Sequence, residues 1–147
     1  MAKRILITGG PGTGKSVLVR ELENHGYQCF HEIIREMTKS VREEEGPENS
    51  LTNPLAFVSD PWTFNKTLLE QRITQYQSAR YCQDPFVFYD RGMPDVLAYM
   101  DYFGQTYGGD FSSPCAEMKY DLVFLTHSSS AQPYWTIQLI CQQKCSS

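Results

Sequence analysis

Gly9-Gly10-Pro11-Gly12-Thr13-Gly14-Lys15-Ser16 follows directly on the apolar run Ile5-Leu6-Ile7 and leads into Val17, Leu18 and Leu22 at helical spacing. A buried strand, a glycine turn and an amphipathic helix, in that order, form the context in which G-x-x-x-x-G-K-S cradles phosphates. The glycines let backbone N–H groups curl around a phosphate chain, and the helix N-terminus adds favourable dipole charge. Gly9 through Ser16, with Val17, are therefore the expected nucleotide-binding residues. Lys15 is placed to reach the β- and γ-phosphates, and the Ser16 hydroxyl to meet Mg²⁺. ATP with Mg²⁺ is the implied ligand pair. A glycine turn without a ligand is the plainer alternative, and it leaves the Lys-Ser pair at this spacing unexplained.

Outward from the loop, strands and helices alternate. Arg4 to Thr8 reads as the first strand and Gly14 to Asn24 as the first helix, stopped by His25-Gly26. Tyr27 to Phe30 is a short second strand, followed by a polar helical segment from Glu32 to Glu45 that breaks at Gly46-Pro47. Clustered acids and prolines make Glu43 to Asp60 a loop. Asp60-Pro61 is a helix start, Asp as N-cap and Pro in the first turn. Trp62, Phe64, Leu68, Leu69, Ile73 and Tyr76 then recur at helical spacing as far as Tyr81. Phe86 to Tyr89 is a buried strand, Pro94 to Phe103 a helix stopped at Gly104, and Tyr120 to Leu125 another strand. The alternation implies an α/β fold, a parallel sheet between helical layers, with ligands at the carboxyl ends of the strands.

The chain has 147 residues, a length that suits one domain. Its net charge of −4 provides no basic stripe, which argues against a nucleic-acid partner. The five cysteines include no C-x-x-C pair, so they read as reduced thiols of a cytoplasmic protein; Cys141 and Cys145 alone make a poor metal site. No apolar stretch approaches the length of a membrane span.

A few other residues have chemistry in reach. Asp90 follows four apolar residues at a strand edge, where a carboxylate can hold Mg²⁺ or accept a hydroxyl proton; a helix N-cap is the alternative. Arg91 beside it suits phosphate or acceptor oxygens, or an ordinary surface ion pair. Glu32 ends the second strand and could orient or deprotonate an acceptor; an exposed pair with Arg35 explains it equally. His25, His31 and His127 lack ligand spacing and read as structural, and Trp62, Phe64 and Tyr76 as core rather than a stacking platform. Asn65-Lys66-Thr67-Leu68 carries Leu where a guanine-reading motif needs a carboxylate, which tilts the nucleotide toward ATP over GTP. Asp90-Arg91 stands where a ring motor would have Asp-Glu.

G-G-P-G-T-G-K-S, H-E-I-I-R-E at 31–36, the long helix with Gln71 and Tyr76, F-V-F-Y-D-R-G-M-P-D and Y-D-L-V-F-L together resemble the NadR-like AAA domain family. This is a group of small P-loop proteins related to ribosylnicotinamide kinase and to nucleoside kinases. The resemblance covers Met1 to Thr126 and implies a kinase-like, three-layer P-loop fold with five parallel strands. It also implies transfer of the ATP γ-phosphate to a small hydroxyl acceptor. Carried over by position, Lys15, Asp90, Arg91 and Glu32 serve the reaction centre, and Ser16 and Asp90 the metal. Arg35, Gln71 and Asp95 fall on the acceptor side; Asp95 serves equally well to stabilise its own helix start.

After Thr126 the family pattern leads to expect a proline-rich turn, an arginine-bearing lid helix and a last strand and helix. Residues 127–147 contain Lys144 as their only Lys, Arg, Asp or Glu, and read as an atypical tail to a 1–126 domain lacking the lid and last elements. Trp135, Ile137, Leu139 and Cys141 alternate with mostly polar neighbours, so Tyr134 to Cys141 either pairs as a strand or is unrelated sequence. Without lid cations, a nucleotide-binding regulatory module with little turnover is the alternative to a kinase.

Overall fold

The computed structural model describes residues 1–35, 37 and 60–127, and the backbone of 136–140. The first strand, β1 (Lys3–Gly9), is apolar without interruption at Ile5, Leu6 and Ile7, all 4 % exposed or less. Such a run fits a strand covered on both faces. Strand β2 (Gln28–Phe30), strand β3 (Phe86–Asp90) and strand β4 (Leu122–His127) lie parallel with it, and β5 (Thr136–Ile140) adds an edge, in the order β2-β3-β1-β4-β5.

The two-residue period of the strands sorts their side chains onto two faces. Ile5, Ile7, Cys29 and Phe88 meet Val19, Leu18 and Leu22 of helix α1 (Lys15–Asn24). Leu6, Val87, Tyr89 and Val123 pack on the other side against three further helices. These are α2 (Pro61–Ser78), α3 (Met93–Tyr102) and α4 (Gly109–Glu117). The result is the expected three-layer sandwich, and no helix among the described residues is long and apolar enough to cross a membrane.

Local chemistry sets the helix ends. Asp60 caps α2 by accepting from the Thr63 amide, with Pro61 in the first turn, and a 3₁₀ turn, Ala79–Tyr81, finishes it. Gly92 begins α3, and a Cβ there would lie 2.6 Å from the Tyr120 hydroxyl and 2.9 Å from Leu6, so only glycine lets this helix start so close to the sheet.

Three findings differ from the sequence reading. The sheet has four parallel strands rather than five, because β5 runs antiparallel to β4, pairing Val123 with Ile140 and His127 with Thr136. Eight residues separate His127 from Thr136, too few for a parallel crossover, which takes a dozen or more. Second, β5 takes up part of the stretch read as an atypical tail, in line with the strand alternative offered for Tyr134 to Cys141. Third, helix α4 is not among the elements read from the sequence, and Gly108-Gly109 and Pro114 disfavour a helix there. It holds because Phe111, fully buried, docks it edge-on to Trp62, and because Lys66 Nζ reaches the Asp110 carbonyl that Pro114 cannot serve. The expected helical segment is present at 33–35 and 37, with Glu32 ahead of it; its residues 36 and 38–45, the 43–59 loop, Cys141 and Cys145 lie outside the described residues.

Candidate nucleotide and acceptor site

The carboxyl ends of β1, β3 and β4 meet at one edge of the sheet, with Ile7 beside Asp90 and Gly9 beside Thr126. β2 and β4 lie on opposite sides of the β1–β3 pair, which makes this edge a topological switch point, where α/β sheets bind ligands.

The glycine loop is held in shape from this edge. Gly9 has φ +146°, and a Cβ there would sit 2.2 Å from the Thr126 carbonyl oxygen, so the tight departure from β1 requires glycine. The Thr126 hydroxyl donates to the Thr8 carbonyl (3.1 Å) and lies 2.8 Å from the Thr13 hydroxyl. Lys15 is buried, its ammonium donating to the Gly10 carbonyl (2.6 Å) and the Thr13 hydroxyl (3.3 Å). Burial, then the Arg91 charge, lowers its pKa from the ordinary lysine value. Helix α1 begins at Lys15 without an acidic residue in its first turn, leaving its positive end open to anions. Val17 in that turn is half exposed.

A cleft of about 400 Å³ lies over the loop, walled by Gly12, Lys15, Ser16, Glu32, Asp90 and Arg91 among others. Asp90 is 4 % exposed, and its Oδ1 is buried without a hydrogen-bond partner among the described residues. Burial first, and the Glu32 charge second, raise its pKa above the ordinary carboxylate range. The N-cap reading of Asp90 is excluded, because Gly92 is the cap.

Arg91 bends out of the strand in the left-handed region at φ +69°, its amide donating to the Ile7 carbonyl (2.9 Å). The pair it makes is not on the surface. Its Nε meets Glu32 Oε2 at 2.7 Å and its Nη1 meets Asp95 Oδ1 at 3.3 Å, with all three side chains 12 % exposed or less. The other Glu32 oxygen accepts from Arg72 Nη2 at 2.8 Å, so both oxygens are taken by guanidinium groups. Asp95 stabilises its own helix start, the second of its two readings: Oδ2 accepts from the Gly92 amide (2.8 Å), while Oδ1 faces Arg91 and accepts from the Thr8 hydroxyl.

Of the residues singled out in the sequence, Lys15, Ser16, Glu32, Asp90 and Arg91 line this one cleft, with Arg35 exposed on its wall and Asp95 one ion pair behind Arg91. Gln71 is not brought there: it is exposed on the outer side of α2, and its neighbour Arg72 turns inward instead. Arg72 was missed, although an arginine on the Leu68–Leu69–Ile73–Tyr76 stripe of a helix is itself a signal. Thr126 was missed as a support for the loop, and nothing in its local sequence marks it. His25 and His31 bond to Glu21 and Glu23 on α1, and Tyr76 packs on Tyr120, in keeping with structural roles. Among the described residues no cluster of His, Cys, Asp and Glu could hold a metal by itself.

Comparison with known proteins agrees with this geometry. A family model described as AAA domain matches residues 4–138. A search of curated proteins gave no match. Among solved structures, one titled as NadR protein in complex with NR superposes with a TM-score of 0.59 at 16 % identity. The match covers 84 % of this chain and 33 % of that one, so this chain spans about a third of that protein's length. With a G-x-x-x-x-G-K-S loop, a switch-point cleft and a family match over nearly its whole length, the chain belongs to the AAA domain family and is a P-loop nucleotide-binding domain with the fold seen in NadR.

Proposed function

We propose that the cleft binds Mg-ATP and that the domain transfers the γ-phosphate to a hydroxyl of a small, nucleoside-type acceptor. The observation that carries this reading is Asp90. It is a buried carboxylate with one oxygen unpartnered among the described residues, raised in pKa, on the wall of the cleft that Lys15 and Ser16 also line. A group tuned toward neutral pH and held in reach of the phosphate loop suits a general base for an incoming hydroxyl. Glu32 is a weaker base, because Arg72 and Arg91 engage both its oxygens; its role is to hold Arg91 over the cleft. Arg91 then serves the charge that develops on the transferring group, as guanidinium groups do in phosphoryl transfer. Lys15, with acceptors of the loop itself as its present partners, exchanges them for phosphate oxygens.

The Ser16 hydroxyl and the Asp90 carboxylate are hard oxygen donors of the kind Mg²⁺ takes, and would hold it beside the loop. The ion, when bound, neutralises charge on the β- and γ-phosphates. That NadR was solved in complex with NR supports a small-molecule acceptor here. Free thiols at Cys29, Cys82 and Cys115 support a reducing, cytoplasmic setting.

The test is thermal unfolding with and without Mg-ATP, followed by ADP formation with a panel of nucleosides. At a hundred times Kd, bound nucleotide adds about 2.7 kcal/mol, or roughly 5–10 °C, and Lys15→Ala abolishes the shift. Acceptor-dependent ADP formation then supports transfer. A shift without it leaves the nucleotide-binding regulatory module as the reading, and no shift overturns both.

A further inference from the structure

A second cavity, of about 480 Å³, opens where the loop leaves β1, against Gly9, Gly10 and Pro11; the cleft takes the loop from Pro11 to Ser16. Lys15, Ser16, Glu32 and Asp90 line the cleft, and none of them lines this cavity. Pro11, Arg91 and Tyr99 line both, so the two spaces share a wall. The volume lies within the roughly 300–1,000 Å³ of small-molecule sites.

The end of helix α3 supplies the far wall. Tyr99, Tyr102 and Phe103 stand at i, i+3 and i+4, and so lie on one side of the helix. Tyr102 and Phe103 meet edge-on with ring centroids 5.0 Å apart, and Tyr99 and Phe103 are tilted at 6.0 Å. Yet Tyr102 is 83 % and Phe103 42 % exposed. A lone exposed ring needs no explanation, but rings gathered along a concave wall form a seat for a flat apolar group. On the loop side, a Cβ at Gly10 would meet no atom within 4 Å, so the backbone there is open to an approaching ligand.

Arg91 is the cation on the shared wall. Its Nε serves Glu32 and its Nη1 serves Asp95, while Nη2 takes part in neither pair. Asp95 also walls the cavity, but its oxygens already accept from the Gly92 amide, the Thr8 hydroxyl and Arg91. Glu32 is shared with Arg72, and burial raises Asp90 toward its neutral form. Lys15, Arg72 and Arg91 together are therefore short of negative charge, which favours an anion on Arg91.

We propose that this cavity is a second ligand site, separate from the phosphate cleft, and that it takes a small aromatic carboxylate. The ring rests against Tyr99, Tyr102 and Phe103, and the carboxylate meets Arg91. A carboxylate suits it better than a phosphate, which has the stronger site next door at Lys15 and the loop. Arg91 also serves the transferring phosphate in the reading above, so the acid and Mg-ATP oppose each other, each weakening the other by the same factor. That opposition rests on the nucleotide reading; the binding of the acid does not.

Calorimetry on the full chain without nucleotide tests the site, with indole-3-carboxylate, its neutral carboxamide and cyclohexanecarboxylate as probes. Indole-3-carboxylate is expected to bind with a Kd at or below about 1 mM. It should bind about tenfold more tightly than the others, one of which lacks the charged hydrogen bond and the other the flat ring. Ala98→Trp fills the cavity from an exposed wall position and should abolish binding. Tyr102→Ala should weaken it about 2–10-fold, so the test survives if the tryptophan variant fails to fold. Neither residue lines the cleft, so both variants keep the Mg-ATP thermal shift wherever the wild type shows it. Where that shift is present, Mg-ATP should raise the Kd of the acid several-fold. Three results would overturn the proposal without ATP: no binding, binding of the carboxylate no tighter than of the other probes, or binding that both variants leave unchanged. The last would put the acid on the phosphate loop. Acid binding lost only together with the Mg-ATP shift would make the cavity part of the nucleotide site, and an affinity that Mg-ATP leaves unchanged would remove Arg91 as the anchor; either overturns it too.

Discussion

In its proposed role, Asp90 sets function against stability at a single residue. One oxygen of its buried carboxylate has no partner among the described residues, and its pKa is raised because burial and the Glu32 charge outweigh the help of Lys15 and Arg91. The folded protein thus holds a proton on Asp90 at pH values where the unfolded chain has lost it. Stability falls as pH rises from the ordinary carboxyl value through the raised one, and the cost is fully present above it. Asp90→Asn removes this titration. The variant's thermal midpoint without ligand should exceed that of the wild type by an amount that grows with pH over this window and then levels off. Phosphoryl transfer, assayed as acceptor-dependent ADP formation, should meanwhile drop by about 10²–10⁴. A variant less stable than the wild type above that window would show that Asp90 is a structural counter-ion instead. The cluster around it was only half legible beforehand. Asp90, Arg91 and Glu32 announced themselves by position at strand ends, while Arg72 did not, because only packing reveals which way a helix face turns.

At the scale of elements, helix α4 is the instructive case. Nine residues containing a glycine start and an internal proline have little helical preference of their own. Tertiary contacts supply what propensity lacks. Phe111 is fully buried against Trp62 and Tyr107, with Lys66 Nζ 5.0 Å above its ring, and Lys66 also pairs with Asp110 at 3.3 Å. Phe111→Ala should cost about 3–5 kcal/mol by denaturant unfolding. Loss of α4 amide protection beyond that of the rest of the domain would show that this one ring holds the helix. Protection lost evenly would place the helix in the cooperative core. Helix α2 is the opposite case at its start, which Asp60 and Pro61 defined from local chemistry alone; its buried face keeps Leu68 and Leu69 of the apolar stripe but also takes in Asn65 and Arg72, while Trp62, read as core, is half exposed.

Across the whole molecule, the antiparallel β5 decides how the sheet ends. It covers β4, whose far neighbour is β1, the strand that launches the phosphate loop. A chain ending at residue 127 would leave the unpaired backbone of β4 as an open edge, a template for other chains. Light scattering should show that it self-associates, and its thermal midpoint should fall; an equally stable monomer would mean that β5 contributes nothing to the fold. Thr126, beside Gly9 in the register, links this edge to the site, so loosening β4 should also weaken Mg-ATP binding. The phosphate loop, the helix that follows it, the buried strands and the layered α/β class were all present in residue order, because strand and helix periods and the glycine-lysine spacing are local properties. The antiparallel turn of the last strand, the docking of α4, the inward arginine on α2 and the sharing of Glu32 between two guanidinium groups were not. Each depends on which distant segments pack together, and burial, rather than propensity, selects among the partners that the local pattern leaves open.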